Sequence, residues 1–469
     1  MSAPKIKFGT DGWRAEIAID YTIDNVARVT EATANWLLEK GSGKSVVIGH
    51  DCRFAGQVFA EAAAWIFAQK GIKVHLAKGY VSTPMVSLGV VKSKADLGIV
   101  ITASHNPPSY NGFKIKGHFG GPLQPELIQE IEDVIPDVSS FDPRNRTLIG
   151  NPAEVVDIDL EGMYLQHVEE NFDLDLIKKS GLRFAYDAMY GAGQSVMKKI
   201  LPDCTFLHCN DNPGFRGQAP EPIHRNLQEF SDLIKNDGNM ASGLATDGDA
   251  DRIGLYNSKG EFVDSHHIIL LLIQYLFEEK KMNGKVVTAF SVSPRITALC
   301  KHFGLEQIIT KIGFKYVSGI MLTDDVLLGG EESGGIAIKG HIPERDGIWM
   351  GLVVWEYMAK SGKSLEQLIN DVYSIVGSFT YNRIDMHITD AQKQAAIAAC
   401  ERGAIKEVGK RIVRKIETID GFKFHFDNNE WLMIRPSGTE PVLRVYAEAE
   451  NMDFTNEILE NAREYLLNV

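Results

Sequence analysis

Apolar residues recur at helical spacing over 22–40 (TIDNVARVTEATANWLLEK), and the short continuous run SVVIGHD that follows predicts a buried strand. A second helical pattern covers 56–70, and the runs KVHLAKG and DLGIVI predict two further strands. This alternation predicts a mostly parallel sheet covered by helices. Around 135–153 the chain turns rich in Pro, Gly, Asn and Ser, which places a first domain boundary there.

The rhythm then repeats. A helix is expected from about 157 to 179, then strand RFAYDA, helix 194–201, strand TFLHC, helix 226–236 and strand SGLAT. The third round has helix 265–280, strand KVVTAF, helix 294–303 and strand VLLGG. From about 378 the pattern changes: strands FTYNRIDMHI, FKFHF, EWLMIR and VLRVYAEAE, with helices near 391–410 and 453–467, predict an antiparallel sheet with helices. The expected fold is therefore α/β, three related α/β domains with mixed sheets followed by a C-terminal α+β domain. The domain bounds read from these changes are 1–150, 151–257, 258–376 and 377–469.

A length of 469 residues agrees with three or four domains. A formal net charge of -13 disfavours nonspecific attraction to nucleic acid or anionic membranes, though a local basic pocket for phosphate remains compatible with it. The N-terminal residues show no apolar signal region, and no apolar run approaches the length of a membrane span. The five cysteines are scattered without a CxxC pair, which fits a reducing cytoplasm and argues against a zinc or disulfide framework.

Four motifs carry chemistry. TASHNPP at 102–108 follows a buried strand, and its two prolines stop a helix from continuing directly, so Ser104 and His105 sit on a loop where open α/β sheets place ligands. TDGDADR at 246–252 packs Asp247, Asp249 and Asp251 so closely that they repel one another unless a cation or a sharp loop geometry compensates. Oxygen ligands without Cys or His favour Mg²⁺, and the spacing does not fit an EF-hand. RPSGTEP at 435–441 offers the Arg435 fork, the Ser437 and Thr439 hydroxyls and a close backbone approach at Gly438, with Arg444 on the next strand: a phosphate clip. GGEESGG at 329–335 places Glu331 and Ser333 to hydrogen-bond sugar hydroxyls. Each has a plainer reading as a capped or Gly-rich surface turn, and their combination argues against that. GSGKS at 41–45 and GAG at 191–193 are phosphate-loop decoys: the first lacks the leading glycine, where Leu38 stands, and the second has Val196 at its third glycine position.

At FGTDGWRA, TASHNP, NGFK, DGDADR, GGEESGG and RPSGTEP, in that order and over nearly the whole chain, the sequence resembles the α-D-phosphohexomutase family. The resemblance implies four domains around a central cleft and interconversion of hexose 1-phosphate and hexose 6-phosphate. The route implied is a phosphoserine at Ser104 and a hexose 1,6-bisphosphate, with glucose 1,6-bisphosphate as activator. It also implies that Asp247, Asp249 and Asp251, with phospho-Ser104, hold Mg²⁺. Arg14, His105, Lys114 and Arg252 match positions around the phosphoryl group, with His105 and Lys114 both open as general base. Glu331 and Ser333 match sugar-reading positions, and Arg435, Ser437, Gly438 and Thr439 match the grip on the non-reacting phosphate. Lys315, in TKIGFKY, lies in a loop that orients the sugar, although Lys311 replaces a proline often found there.

HIPERDGIW at 341–349, and Glu332 where phosphoglucosamine mutases usually carry Gln, favour glucose phosphate; mannose and glucosamine phosphates are the alternatives. The expected partner is thus a small hexose phosphate, with neither nucleic acid nor membrane. No pattern speaks to oligomeric state. An aspartyl phosphatase would account for Asp247-x-Asp249, and a sugar-phosphate sensor for the clip, but neither accounts for all four motifs.

Overall fold

The computed structural model describes residues 4–40, 44–145, 152–436 and 442–468. The chain divides into two compact units, Met1–Val287 with Gly313–Ile369, and Thr288–Ile312 with Asn370–Val469. The expected boundary at 150/151 lies outside the described residues. Among the described residues no helix is long and apolar enough to cross a membrane, and all five cysteines are free.

In the first unit, six strands form one sheet: β1 (Trp13–Glu16), β2 (Ser45–His50), β3 (Lys73–Ala77), β4 (Leu97–Ile101), β5 (Tyr110–Gly117) and β6 (Val155–Ile158), in the order β1-β5-β4-β2-β3-β6. β4-β2-β3-β6 are parallel, whereas β5 runs antiparallel to both β4 and β1. Helices Ile23–Lys40 and Gly56–Gln69 pack on it, burying Val26, Val29, Phe59 and Phe67 against Val46, Ile48, Ile99 and Ile101. Each such side chain contributes about 1.5–3 kcal/mol on leaving water. The apolar run LGIVI is buried along its whole length, as a strand covered on both faces must be.

A second sheet is built from β7 (Arg183–Asp187), β8 (Thr205–Leu207), β9 (Met240–Thr246), β10 (Ile253–Asn257) and β11 (Phe262–Val263), in the order β11-β10-β9-β7-β8. It is parallel through β9-β7-β8 and antiparallel from β9 outward. The third round begins with β12 (Lys285–Ala289), β13 (Gln307–Thr310), β14 (Val326–Gly330) and β15 (Ile336–Ile338), of which β14 and β15 form an antiparallel hairpin in the first unit. In the second unit, β16 (Thr380–His387), β17 (Glu407–Val408), β18 (Arg411–Ile412), β19 (Lys415–Glu417), β20 (Phe422–His425), β21 (Trp431–Pro436) and β22 (Val442–Ala449) give an antiparallel sheet β16-β22-β21-β20-β19 and a small separate hairpin, β17-β18.

Two predicted helices are shorter than their patterns suggested. The 157–179 stretch opens as β6, then forms helices Leu160–Asn171 and Leu174–Lys179, because Asp159 and Asp173 each cap a new start with their side chains. The 391–410 helix ends at Glu401, where Gly403 takes a positive φ and the chain turns into β17 and β18. Helix Thr83–Ser93 escaped notice because TPMVSLGVVKS is buried over most of its surface and shows no polar face.

At the end of the second sheet, His208 Nδ1 lies 3.0 Å from Asp187 Oδ2, and its Nε2 lies 3.3 Å from Glu229 Oε2. Burial disfavours the charged ring, yet the carboxylates outweigh it and raise the His208 pKa above its ordinary 6.5. Burial also raises the pKa of Asp187. His208 works against that rise, and the net effect on the ring favours its charged form in the native state. The His208 contribution is therefore complete below pH 6.5 and is lost as pH rises through the folded pKa. In urea unfolding, the stability gap between wild type and His208→Gln is expected to be largest near about pH 5.5 and to close toward about pH 9. A gap that does not change with pH would show that the ring is not charged.

Candidate active site

Ser104 follows β4 on a tight turn, is buried, and has a left-handed backbone with φ of 52°. Its hydroxyl donates to Asp247 Oδ2 at 2.7 Å and lies 3.2 Å from His105 Nδ1. The aspartates do not continue β9 as a strand. The chain turns, with Ala250 at φ 56° and its N–H on Asp247 O, so that Asp247, Asp249 and Asp251 converge. All three are buried, with one oxygen from each within 4.8 Å of the others.

This turn is tied down from two sides. Thr83 donates from its backbone N–H to Asp249 O at 3.0 Å and from its hydroxyl to Asp249 Oδ2 at 2.5 Å. Gly347, at the start of helix Gly347–Ser361, donates to Ala250 O at 3.0 Å. Gly248 brings the turn against the serine loop so closely that a Cβ there would meet Ser104 O at 2.6 Å.

Cations are interleaved with the carboxylates. Lys114, on β5, holds Asp11, Asp249 and Asp251 with its ammonium at 2.8, 2.7 and 3.0 Å. Burial works against that charge, but the three carboxylates raise the Lys114 pKa far above its usual value. Arg345 donates to Asp251 Oδ2 at 2.6 Å and also to Asp11. Lys116 pairs with Glu344 at 2.6 Å. Arg14 donates to Asn106 Oδ1 at 2.8 Å, while its Nε and that of Arg252 are buried without a hydrogen-bond partner. Burial, followed by the charges of Arg252, Arg14 and Lys114, holds the His105 pKa well below its usual value.

The donor set fits a hard divalent cation. Asp249 Oδ1 and Asp251 Oδ1 are buried with no hydrogen-bond partner, and their sister oxygens already serve Lys114. Burial and the neighbouring Asp251 and Asp249 charges push the Asp247 pKa well up, the response of a carboxylate crowded by its own kind. A bound Mg²⁺ would reverse that balance, and an all-oxygen donor set suits it.

The sugar-loop residues belong to the same unit. Glu331 directly follows β14, accepts from Gly313 N at 2.8 Å, and has its pKa raised to about 7, chiefly by burial. Gly335 in its loop bridges to Arg252. Ser333 is half-buried, as is Lys315 in the first turn of helix Phe314–Met321. In the second unit, Arg435 on β21 lies directly opposite Arg444 on β22. Arg435 Nε contacts Asp420 Oδ1 at 3.3 Å, and Arg444 Nε is buried without a partner. Ser437, Gly438 and Thr439 lie outside the described residues.

Sequence reasoning missed Asp11, Thr83, Lys116, Glu344 and Arg345. Asp11 stands inside FGTDGWRA and Arg345 inside HIPERDGIW, both already singled out; Thr83 gave no signal at all.

The chain matches the phosphoglucomutase/phosphomannomutase domain families in order: alpha/beta/alpha domain I over 5–141, domain II over 162–260, domain III over 264–376, and the C-terminal domain over 388–464. A Methanococcus vannielii phosphoglucosamine mutase is 32% identical over 89% of this chain and 91% of its own. The chain belongs to the phosphoglucomutase/phosphomannomutase family. A member from Thermococcus kodakarensis, named phosphoglucomutase/phosphomannomutase, is 29% identical over 98% of this chain and 96% of its own. A crystal structure from Thermus thermophilus, named for phosphomannomutase, superposes with a TM-score of 0.88 at 32% identity, over 99% of this chain and all of that one. The family membership makes the chain a phosphohexomutase, and the expected α/β architecture with a distinct C-terminal domain holds.

Lys114→Met leaves Asp249 without its cation, and the expected cost is about 3–5 kcal/mol in urea unfolding. Added Mg²⁺ should recover part of that loss. An unchanged unfolding midpoint would show that the carboxylates do not depend on Lys114.

Proposed function

We propose that this phosphohexomutase moves a phosphoryl group between Ser104 and the 1- and 6-hydroxyls of a hexose phosphate, through a hexose 1,6-bisphosphate. The observation that carries the reading is the buried Ser104 hydroxyl, 2.7 Å from Asp247, one of the three converging aspartates. Phosphoryl transfer needs positioning and charge neutralisation, and the neighbours of Ser104 are suited to both. Mg²⁺, held by Asp247, Asp249, Asp251 and phospho-Ser104, would withdraw charge from the phosphoryl group. The open Nε–H groups of Arg14 and Arg252 suit the transferring oxygens.

The attacking sugar hydroxyl must lose a proton. Three carboxylates within 3.0 Å keep Lys114 protonated, and an ammonium has no lone pair to offer. His105, whose Nδ1 is 3.2 Å from Ser104 Oγ, is therefore the proposed base. Glu331, Ser333 and Lys315 are assigned to the sugar. Arg435 and Arg444, with Ser437, Gly438 and Thr439, are assigned to the non-reacting phosphate. Two arginines facing each other across a strand pair suit a dianion. The division into domains 1–150, 151–257, 258–376 and 377–469, a cytoplasmic site of action, and activation by glucose 1,6-bisphosphate belong to the same proposal.

The sugar is read differently from the sequence expectation of glucose. Relatives named phosphoglucosamine mutase recur among the most similar proteins, including one from Methanococcus maripaludis at 33% identity over 89% of this chain. They support glucosamine phosphate ahead of glucose and mannose phosphates.

Rates with the three hexose 1-phosphates, measured with Mg²⁺ and a trace of the matching bisphosphate, should be highest for glucosamine phosphate, without release of free phosphate. A clear lead for glucose phosphate would reverse the order, and net hydrolysis would overturn the mutase reading. Ser104→Ala is expected to lower turnover by at least about 10³-fold. Removing divalent metal with EDTA should stop the wild type reversibly.

A further inference from the structure

The residues described so far surround the reacting oxygen, but none of them accounts for the unusual backbone that presents it. A non-glycine residue at positive φ is uncommon and has to be held there by its surroundings. At Ser104 the holding group is Arg53, from the HDCRF segment after β2, a residue that is itself only 3% exposed. Its Nη2 donates to Ser104 O and Asn106 O, both at 2.6 Å. Its Nη1 donates to Pro107 O at 2.8 Å and Tyr110 O at 2.9 Å. One planar guanidinium thus gathers four carbonyls of the serine loop.

Arg53 is seated in turn. Asp51 Oδ1 accepts from Arg53 N at 2.9 Å, and Asp51 Oδ2 lies 3.4 Å from Arg53 Nε. The guanidinium lies 5.1 Å over the Phe215 ring. Asp51 reaches the loop a second way: it accepts from the Thr102 hydroxyl, which accepts from Ser104 N at 2.9 Å. The N–H of Ser104 is therefore fixed through Thr102 and Asp51, and its C=O through Arg53. With both ends of the residue held, the hydroxyl is left directed at Asp247.

We infer that Arg53, seated by Asp51, is a positioning residue for phosphoryl transfer, setting the Ser104 hydroxyl through the loop carbonyls without touching substrate. Lysine cannot replace it, since an ammonium has three donors radiating from one point and no planar fork to match four carbonyls. This deepens the proposed function and rests on it.

The test compares wild type, Arg53→Lys, Thr102→Val and Thr102→Ser. It measures steady-state isomerisation and the rate at which Ser104 takes phosphate from hexose 1,6-bisphosphate. Arg53→Lys should lower kcat and the Ser104 phosphorylation rate together by about 10²-fold, the scale expected for a misplaced reacting atom. KM should stay within about 3-fold, because the sugar and phosphate contacts are untouched. Thr102→Val should lose about 10-fold in the same two rates, and Thr102→Ser, which keeps the hydroxyl, should restore them.

Wild-type kcat in Arg53→Lys would overturn the inference, as would a loss carried by KM instead. If Arg53→Lys does not fold, equal rates for the Thr102→Val and Thr102→Ser proteins would overturn it just as well. A wild type that isomerises no hexose phosphate would sink the proposed function and this inference with it. An active wild type with an equally active Arg53→Lys would sink the inference alone.

Discussion

A single buried ammonium, that of Lys114, allows acidic side chains from distant parts of the first unit to share one small volume. Asp11, Asp249 and Asp251 all lie within 3.0 Å of it. Arg345 also pairs with Asp251 and Asp11, so Asp249 is the carboxylate that depends most on Lys114. With it, Asp249 stays ionised despite complete burial, its pKa held far down by Lys114 and by the hydroxyl of Thr83. The cluster can then present bare carboxylate oxygens where a metal needs them. This is why removing one partner from such a network costs more than the network itself contributes.

The sheet topology delivers that ammonium. β5 returns antiparallel beside β4, and its register sets Lys114 opposite Val100, just before the serine loop. The next strand over, β1, sets Arg14 opposite Gly112. A purely parallel sheet would have sent the chain away through a crossover helix after Ser104. The mixed sheet instead sets β5 beside β4 and β1 beyond it, with Lys114 and Arg14 on these two strands. The second sheet makes the matching choice, with β9 turning sharply through the aspartates into an antiparallel β10.

The parts of the site that could be read directly were those whose chemistry is contiguous in the chain. Ser104 with its prolines, and Asp247, Asp249 and Asp251, announce themselves because residues that act together also stand together. Asp11 and Arg345 pair across 334 positions, and no local pattern reveals such a pair before the fold is known. Arg53 looked like an ordinary residue after a strand, since its work is done through backbone carbonyls, which carry no sequence signature. In the fold, helices with a clear polar face were legible, whereas helix Thr83–Ser93 was not. Helix ends were misread where a side-chain cap or a positive-φ glycine outweighed the apolar period, as at Asp173 and Gly403.

The opposed arginines of the second unit have a consequence for how an anion is recognised. Arg435 and Arg444 face each other across adjacent strands, and Asp420 touches only the first through its Nε. On its other side Arg444 stands opposite Asp385 of β16, so an acidic residue flanks each of the two arginines. On the proposed reading, an arriving phosphate would be held by both guanidinium groups at once. A neutral sugar could not engage them in that way, so on that reading the strand pair would select for the charge a ligand carries.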